Sequence, residues 1–416
     1  MNTPPSRGRR VALQSASWVI AVAGLGFFAA PAQAADCALP KEVFEVVNSA
    51  KSLLSANKGT EVLAKVKEAE GMKDLPACAK PLLTQLRVAG AMRSGSAAEA
   101  ARALQAAGSE IPAAQAVQYD YAVAQMYFQE KNNAEAISWA NKYVQAGGDA
   151  SKAKQMQMAI YQATGDWQNL QKMALDLVAE TERVGGAPSE NDLNMVLFTA
   201  DKLKDANRYS AFLEKMVIYH PSQESWLRLI TDVQKKPNFS RRLQIDILRL
   251  LFATGNLKAE KYEEYVGLAM NANEPGEAKA VLDKGFETKV LGVDPNTKAR
   301  EQRLRDVVAA KIADREKSRY LEEVQIKREP TGDSMILIGV EYYGLQKYDD
   351  AIKWINDGIT KGGLKAPSDA KLHLALVYLA ANQKPKALDL LKTIKDTDGT
   401  GDLARLWTIK AGGRPS

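Results

Sequence analysis

Small and bulky residues recur along this chain at fixed helical intervals. Gly339 is followed by Tyr342, then by Ala351, Ile355 and Gly358. Ala375, Tyr378, Ala387, Leu391 and Ile394 repeat that spacing, and so do Ala124, Tyr127, Ala136, Ala140 and Tyr143 upstream. Tyr161 lies thirty-four residues after Tyr127, and Ala174 lies thirty-four after Ala140. The pattern predicts pairs of helices. Small residues let the two helices of a pair approach, and bulky ones fill the space between pairs. A single pair cannot bury its apolar face, so neighbours must stack. Turn-forming residues over 129–133, 164–167 and 344–348 separate first from second helices. Gly147-Gly148, Gly185-Gly186 and Gly362-Gly363 follow second helices, where a left-handed cap favours glycine.

Weaker copies extend the array. Ala100, Leu104, Ala107 and Pro112 match a second helix and its closing proline, with Ser96 and Glu99 placed as a capping box at its start. The stretch 195–219, closed by Pro221, is a further copy, and Ala278, Leu282 and Gly285 match Ala351, Ile355 and Gly358. These spacings resemble the tetratricopeptide repeat, a helix–turn–helix unit of about 34 residues. The resemblance covers the segments 116–180 and 332–395 most clearly. It implies an all-α fold, a right-handed α–α superhelix of about eight to ten helix pairs.

Two segments depart from the pattern. Residues 36–80 read as ordinary helical hairpins that cap the array. Residues 296–329 hold ten Lys/Arg and seven Asp/Glu, with Leu304, Val308, Ile312, Tyr320 and Val324 at helical spacing. They predict one long amphipathic helix ended by Pro330 and Gly332, either a solvated connector or a docking helix. The expected organisation is an export segment over 1–34, an N-terminal helical cap over 35–80 and repeats over 81–295. A charged connector helix over 296–331 follows, then a C-terminal repeat pair with an end helix over 332–416.

The export reading rests on Arg7, Arg9 and Arg10, an apolar core over 19–30, and Ala32-Gln33-Ala34, a small-x-small cleavage pattern expected to be cut after Ala34. The core is shorter than the about 20 apolar residues a membrane-spanning helix needs, and no later stretch qualifies. Val-Ala-Leu after the paired arginines favours general secretion over the twin-arginine route. Asp36 directly before Cys37 excludes lipidation there. A periplasmic location makes nucleic acid an improbable partner. The net charge of +6, half of it in the export segment, agrees by lacking a polyanion-binding excess. The two cysteines, Cys37 and Cys78, are expected to pair in an oxidising compartment. The bond would close a loop worth about 4 kcal/mol in the chain-entropy model. A redox or metal pair fits their spacing poorly.

Catalytic chemistry finds little support. The two histidines, His220 and His373, fall in different repeats without ligand spacing to Cys, Asp or Glu, and read as structural. No nucleophile elbow, phosphate loop or zinc-protease motif occurs. Asp396-x-Asp398-Gly399-x-Gly401-Asp402 has the look of a calcium loop, but Trp407 stands where the closing glutamate is required, so a turn before the last helix is expected. No catalytic residue, metal or cofactor is assigned.

The resemblance to tetratricopeptide arrays implies that first helices line a concave binding surface. The matching positions are Gln118, Tyr121, Gln125, Phe128 and Gln129 on one helix, Gln155 and Gln162 on the next first helix, and Ile336, Val340 and Tyr343 near the C-terminus. Glutamine suits a peptide backbone, and the aromatics give anchoring area. The surface lacks the dense basic cluster of a carboxylate clamp. The chain resembles exported bacterial tetratricopeptide proteins. The leading expectation is a non-enzymatic periplasmic scaffold that binds an extended segment of another envelope protein. TonB-type transport, secretion or pilus assembly are settings for such scaffolds. The alternatives are a cell-wall saccharide-binding or cell-wall-active protein, and a structural repeat protein that assembles with itself as a homo-oligomer.

Overall fold

A computed structural model describes residues 38–414. Within them the chain is all-α, with twenty α-helices and no strand. It divides into two compact units, one ending at Ile160 and the other beginning at Tyr161.

The first unit contains α1 (Lys41–Ser55), α2 (Gly59–Glu70), α3 (Lys80–Met92), α4 (Ala97–Ala107), α5 (Ala113–Gln129), α6 (Asn133–Gln145) and most of α7 (Ala150–Thr164). Val43, Val47, Val62, Leu83 and Leu86 form a core among the first three helices. Gly59 on α2 makes that packing possible, because a Cβ there would lie 2.3 Å from the backbone of Arg93. A second core runs from Val88 to Ile160 and takes in Ala124, Tyr127, Ala136, Ala140 and Tyr143. The small-and-bulky spacing is therefore the buried face of α5 and α6. At the start of α4, Ser96 accepts a hydrogen bond from the Glu99 amide at 3.3 Å, so the side-chain cap forms.

The second unit begins with α8 (Trp167–Arg183), α9 (Glu190–Leu203), α10 (Ala206–Tyr219), α11 (Gln223–Gln234), α12 (Gln244–Ala253), α13 (Ala259–Asn271) and α14 (Pro275–Glu287). It continues with α15 (Lys298–Ile326), α16 (Asp333–Gly344), α17 (Tyr348–Lys361), α18 (Pro367–Ala380), α19 (Lys384–Leu391) and α20 (Thr400–Lys410). The expected long charged helix is α15, 29 residues in length. It runs beside the stack and leaves it continuous, since α16 packs directly on α14. Two glycines permit that approach. A Cβ on Gly344 would sit 2.4 Å from the Glu277 backbone nitrogen, and one on Gly276 would sit 2.7 Å from the Gly344 carbonyl carbon.

The end of the chain folds back onto the middle of this unit. Leu403, Leu406 and Trp407 of α20 share one core with Leu213, Met216 and Ile247 of α10 and α12. Arg405 reinforces the contact, donating to Glu214 from Nε at 2.9 Å and from Nη2 at 2.5 Å. No helix among the described residues is long and apolar enough to cross a membrane.

Candidate functional site

Successive residues of an α-helix turn by about 100°. Gln118, Tyr121, Gln125, Phe128 and Gln129 therefore fall within an arc of about 100° on α5, away from the buried Tyr119, Val123, Ala124 and Tyr127. Gln118 and Gln129 are exposed, and Tyr121, Gln125 and Phe128 are half-buried. The structure thus brings these five together on one accessible face.

Tyr121 is held by its neighbours. Its ring lies 5.0 Å from that of Tyr143 on α6, tilted by 44°. Burial and the Tyr143 hydroxyl raise its pKa above the ordinary tyrosine value, opposed by a hydrogen bond from Gln125. Tyr143 in turn depends on the Gly147-Gly148 pair. Gly147 takes φ +90°, the Gly148 amide bonds the Tyr143 carbonyl at 2.8 Å, and a Cβ on Gly148 would enter the Tyr143 ring at 2.3 Å. The same two glycines that end α6 also seat the aromatic floor of the α5 face. Beneath it, Lys142 pairs with the buried Asp120 at 2.9 Å and lies 4.1 Å from the Trp139 ring centroid.

On α7, Gln155 is exposed, and Gln157 donates to Asn141 of α6 at 2.7 Å. Gln162 lies two turns further along, half-buried, in the second unit.

The C-terminal trio is placed differently from the expectation. Ile336 and Val340 are 8% and 2% exposed and belong to the core between α16 and α17. Tyr343 packs at the border of two cores, and burial beside Glu277 pushes its hydroxyl far above the ordinary range. The reason lies in α16 itself, whose Met-Ile-Leu-Ile-Gly-Val run is apolar on nearly every side. Such a helix is covered rather than displayed, and here α14, α15, α17 and α18 surround it. Ile336 and Val340 do not line an open surface.

A buried polar cluster lies in the second unit that the sequence did not announce. Arg249 of α12 donates to Glu277 from Nε at 2.8 Å and from Nη2 at 2.7 Å. It also donates to Glu274 at 2.6 Å and to Asp246 at 2.8 Å. Tyr265 donates to Glu277 at 2.6 Å, and His373 Nε2 lies 3.1 Å from both Asp246 and Arg249. Burial holds the Glu274 carboxyl well above the usual carboxylate range, with Arg249 opposing and Glu277 adding to the rise. Burial would also raise Glu277 and Asp246, but Arg249 outweighs it at Glu277, down to about 2, and His373 with Arg249 outweighs it at Asp246. Every charge here faces another, so the arrangement joins α12, α13, α14 and α18 and offers no open position for chemistry. The one signal in the sequence was an arginine inside the apolar run Ile-Leu-Arg-Leu-Leu.

The acidic stretch before α20 is a turn. Asp398 accepts from the Thr400 amide at 3.0 Å, the Thr400 hydroxyl at 2.8 Å and Arg242 at 2.7 Å. Arg242 also grips Asp369 through Nε and Nη2 at 2.9 and 2.8 Å. His220 Nε2 contacts the Pro188 carbonyl at 2.7 Å. Among the described residues no group of His, Cys, Asp and Glu is arranged to hold a metal ion. A cavity of about 640 Å³ opens between the α10–α11 region and the start of α20, lined by Asn207, Lys235, Asp396 and Arg405 among others. Cys78 lies in a short 3₁₀ turn before α3, while Cys37 and the export segment fall outside the described residues.

Stacked helix pairs with an aromatic and glutamine face define an all-α repeat protein of the protein-interaction class. Residues 90–151, which run from the end of α3 through α6, match the tetratricopeptide repeat family. The chain thus carries a tetratricopeptide repeat segment, in keeping with its stacked helix pairs. No curated protein matches it.

Proposed function

We propose that this protein is an exported, non-enzymatic scaffold whose α5 face holds an extended segment of another envelope protein. The observation that carries the reading is the accessible line of Gln118, Tyr121, Gln125, Phe128 and Gln129 inside the matched repeat segment. Glutamine amides both donate and accept, which suits a peptide backbone. Tyr121 and Phe128 are half-sunk, so their rings bring contact area at low entropic cost. The arginine-rich start, the apolar core over 19–30 and the Ala-Gln-Ala pattern support export to the periplasm. That compartment favours a Cys37–Cys78 bond.

The test is in-cell crosslinking from a photoreactive residue at Tyr121, with adducts identified by mass spectrometry. One dominant envelope protein, lost when Phe128→Ala is combined with the probe, is the expected result. Adducts unchanged by Phe128→Ala would sink the assignment of this face.

A further inference from the structure

The long helix α15 has two unlike sides. Its inner side is anchored along its length. Val308 is buried with Leu304 and Ile312 beside it, Arg300 pairs with Glu263, and Arg315 grips Glu341 on α16 from Nε and Nη2 at 2.8 and 2.5 Å. Its outer side exposes large apolar groups. Val307 is 56% exposed, Leu321 66% and Tyr320 75%. Tyr320, one of the residues whose spacing announced the helix, thus faces outward while Leu304, Val308 and Ile312 face in. Steps of four residues drift by about 40° each, which carries the later positions round the helix.

The centre of the outer side is an unbroken heptad line. Ala299, Arg303, Asp306, Ala310, Ala313, Lys317, Tyr320 and Val324 alternate steps of four and three, and all are exposed except the half-buried Val324. Any helix carries such a line; this one suits the seam of a two-helix coil because five of its positions, Ala299, Ala310, Ala313, Tyr320 and Val324, are small or apolar. Its composition is self-complementary in one orientation only. In a parallel pair each residue meets its own copy, so Asp306 faces Asp306 and Lys317 faces Lys317. In an antiparallel pair centred between residues 311 and 312, Asp306 meets Lys317 of the second copy. Arg303 then meets Tyr320, a cation over an aromatic face, and Ala299 meets Val324. Ala310 and Ala313 meet at the crossing, where small side chains allow close approach of about 8 Å between axes.

We propose that two copies of this protein pair antiparallel through the outer seam of α15. The polar pairs fix register and direction, as single polar residues do in coiled seams. The helix is about 43 Å long at 1.5 Å per residue, so the seam is extended but narrow. Such an interface sits near or below about 1,200 Å², and the dimer is therefore concentration-dependent. The inference stands independently of the α5 face.

Charge reversal tests it. Light scattering of the purified protein over a dilution series should show the mass doubling as concentration rises. Asp306→Lys and Lys317→Asp should each hold the mass at the monomer value, because each puts like charges opposite one another. The double variant Asp306→Lys/Lys317→Asp should dimerise again. Mixing the two single variants should also restore a twofold mass, since each supplies the charge the other lacks. Both positions are exposed, so unchanged circular dichroism is expected throughout. A wild-type protein that stays monomeric at every concentration would overturn the proposal. So would single variants that dimerise like the wild type, or a mixture that fails to reassociate.

Discussion

Arg249 on α12 grips Glu277 on α14 through two parallel hydrogen bonds of 2.8 and 2.7 Å, with both side chains sealed from solvent. Breaking the sealed pair should destabilise the second unit. Replacing Arg249 with Met leaves Glu277, Glu274 and Asp246 around a vacated charge, and removing one partner of a buried pair costs about 3–5 kcal/mol. Arg249→Lys should recover little of that, because an ammonium cannot reproduce the planar fork. Adding Glu277→Met to Arg249→Met should restore part of the loss. His373 then still faces Asp246, and protonated Glu274 brings no charge. Urea unfolding of the three variants measures the order. Equal stability of Arg249→Met and wild type would refute this account.

The same cluster gives the protein a pH dependence with two limbs. Glu274 has a folded pKa well above its unfolded value of about 4.3. The folded state therefore keeps a proton that the unfolded chain has lost, and stability from this group falls as pH rises through the folded pKa. Glu277 and Asp246 are held low. Their contribution is complete above about pH 4 and is lost as pH falls toward about 2, where Glu277 takes up its proton. Glu274→Gln keeps a neutral hydrogen-bonding group and should abolish only the upper limb. Unfolding midpoints for both proteins across pH would decide it, and parallel curves above pH 5 would count against the assignment.

Two glycines of the second unit should respond in opposite directions. Gly344→Ala drives a Cβ to within 2.4 Å of the Glu277 backbone, where no flexible side chain can yield. Overpacking of this kind costs about 1–3 kcal/mol and should loosen α16 from α14. Gly267 on α13 has open space at its Cβ position. Gly267→Ala should stabilise by about 0.5–1 kcal/mol, the usual helical preference for alanine. Thermal unfolding of both variants checks the contrast.

What the sequence made legible follows from the range of the interactions. The helix pairs were readable because Ala124, Tyr127, Ala136, Ala140 and Tyr143 make one another's contacts within a single hairpin. The long charged helix was readable for the same reason. The face of α16 was not, because periodicity carries no direction when Ile336, Leu337, Ile338 and Val340 are all apolar. Only packing against α14 and α17 decides that Leu337 is the one exposed. The Arg249 cluster was hidden by distance, since His373 reaches Asp246 across 127 residues. The acidic stretch before α20 was readable as a turn because Trp407 stands where a closing glutamate is required, but its tie to Arg242 was not, since Asp398 meets that arginine across 156 residues.

The pairing of Cys37 with Cys78 is expected to staple the start of the first unit. Neither thiol should react with a thiol reagent under native conditions, and both should react after reduction. Cys78→Ser should destabilise α1–α3 by up to about 4 kcal/mol, the chain-entropy value for a loop of this length, and leave the second unit unchanged. Hydrogen exchange resolved by segment separates the two. A freely titrating Cys78 in the protein purified without reductant would rule the bond out.

The last prediction joins a cap to the candidate binding face. Gly148→Ala places a Cβ inside the present position of the Tyr143 ring, with its nearest atom at 2.3 Å. The ring must move, and Tyr121 loses the neighbour 5.0 Å away that helps to bury it. The Tyr121 hydroxyl, now raised by burial and by Tyr143, should then titrate at lower pH, closer to its ordinary value. Crosslinking from position 128 should fall in the same variant, although Gly148 itself touches no ligand. A Tyr121 titration unchanged in Gly148→Ala would show that the glycine ends α6 without shaping the surface. A shifted titration with undiminished crosslinking would show that Tyr121 lies on the face but outside the contact.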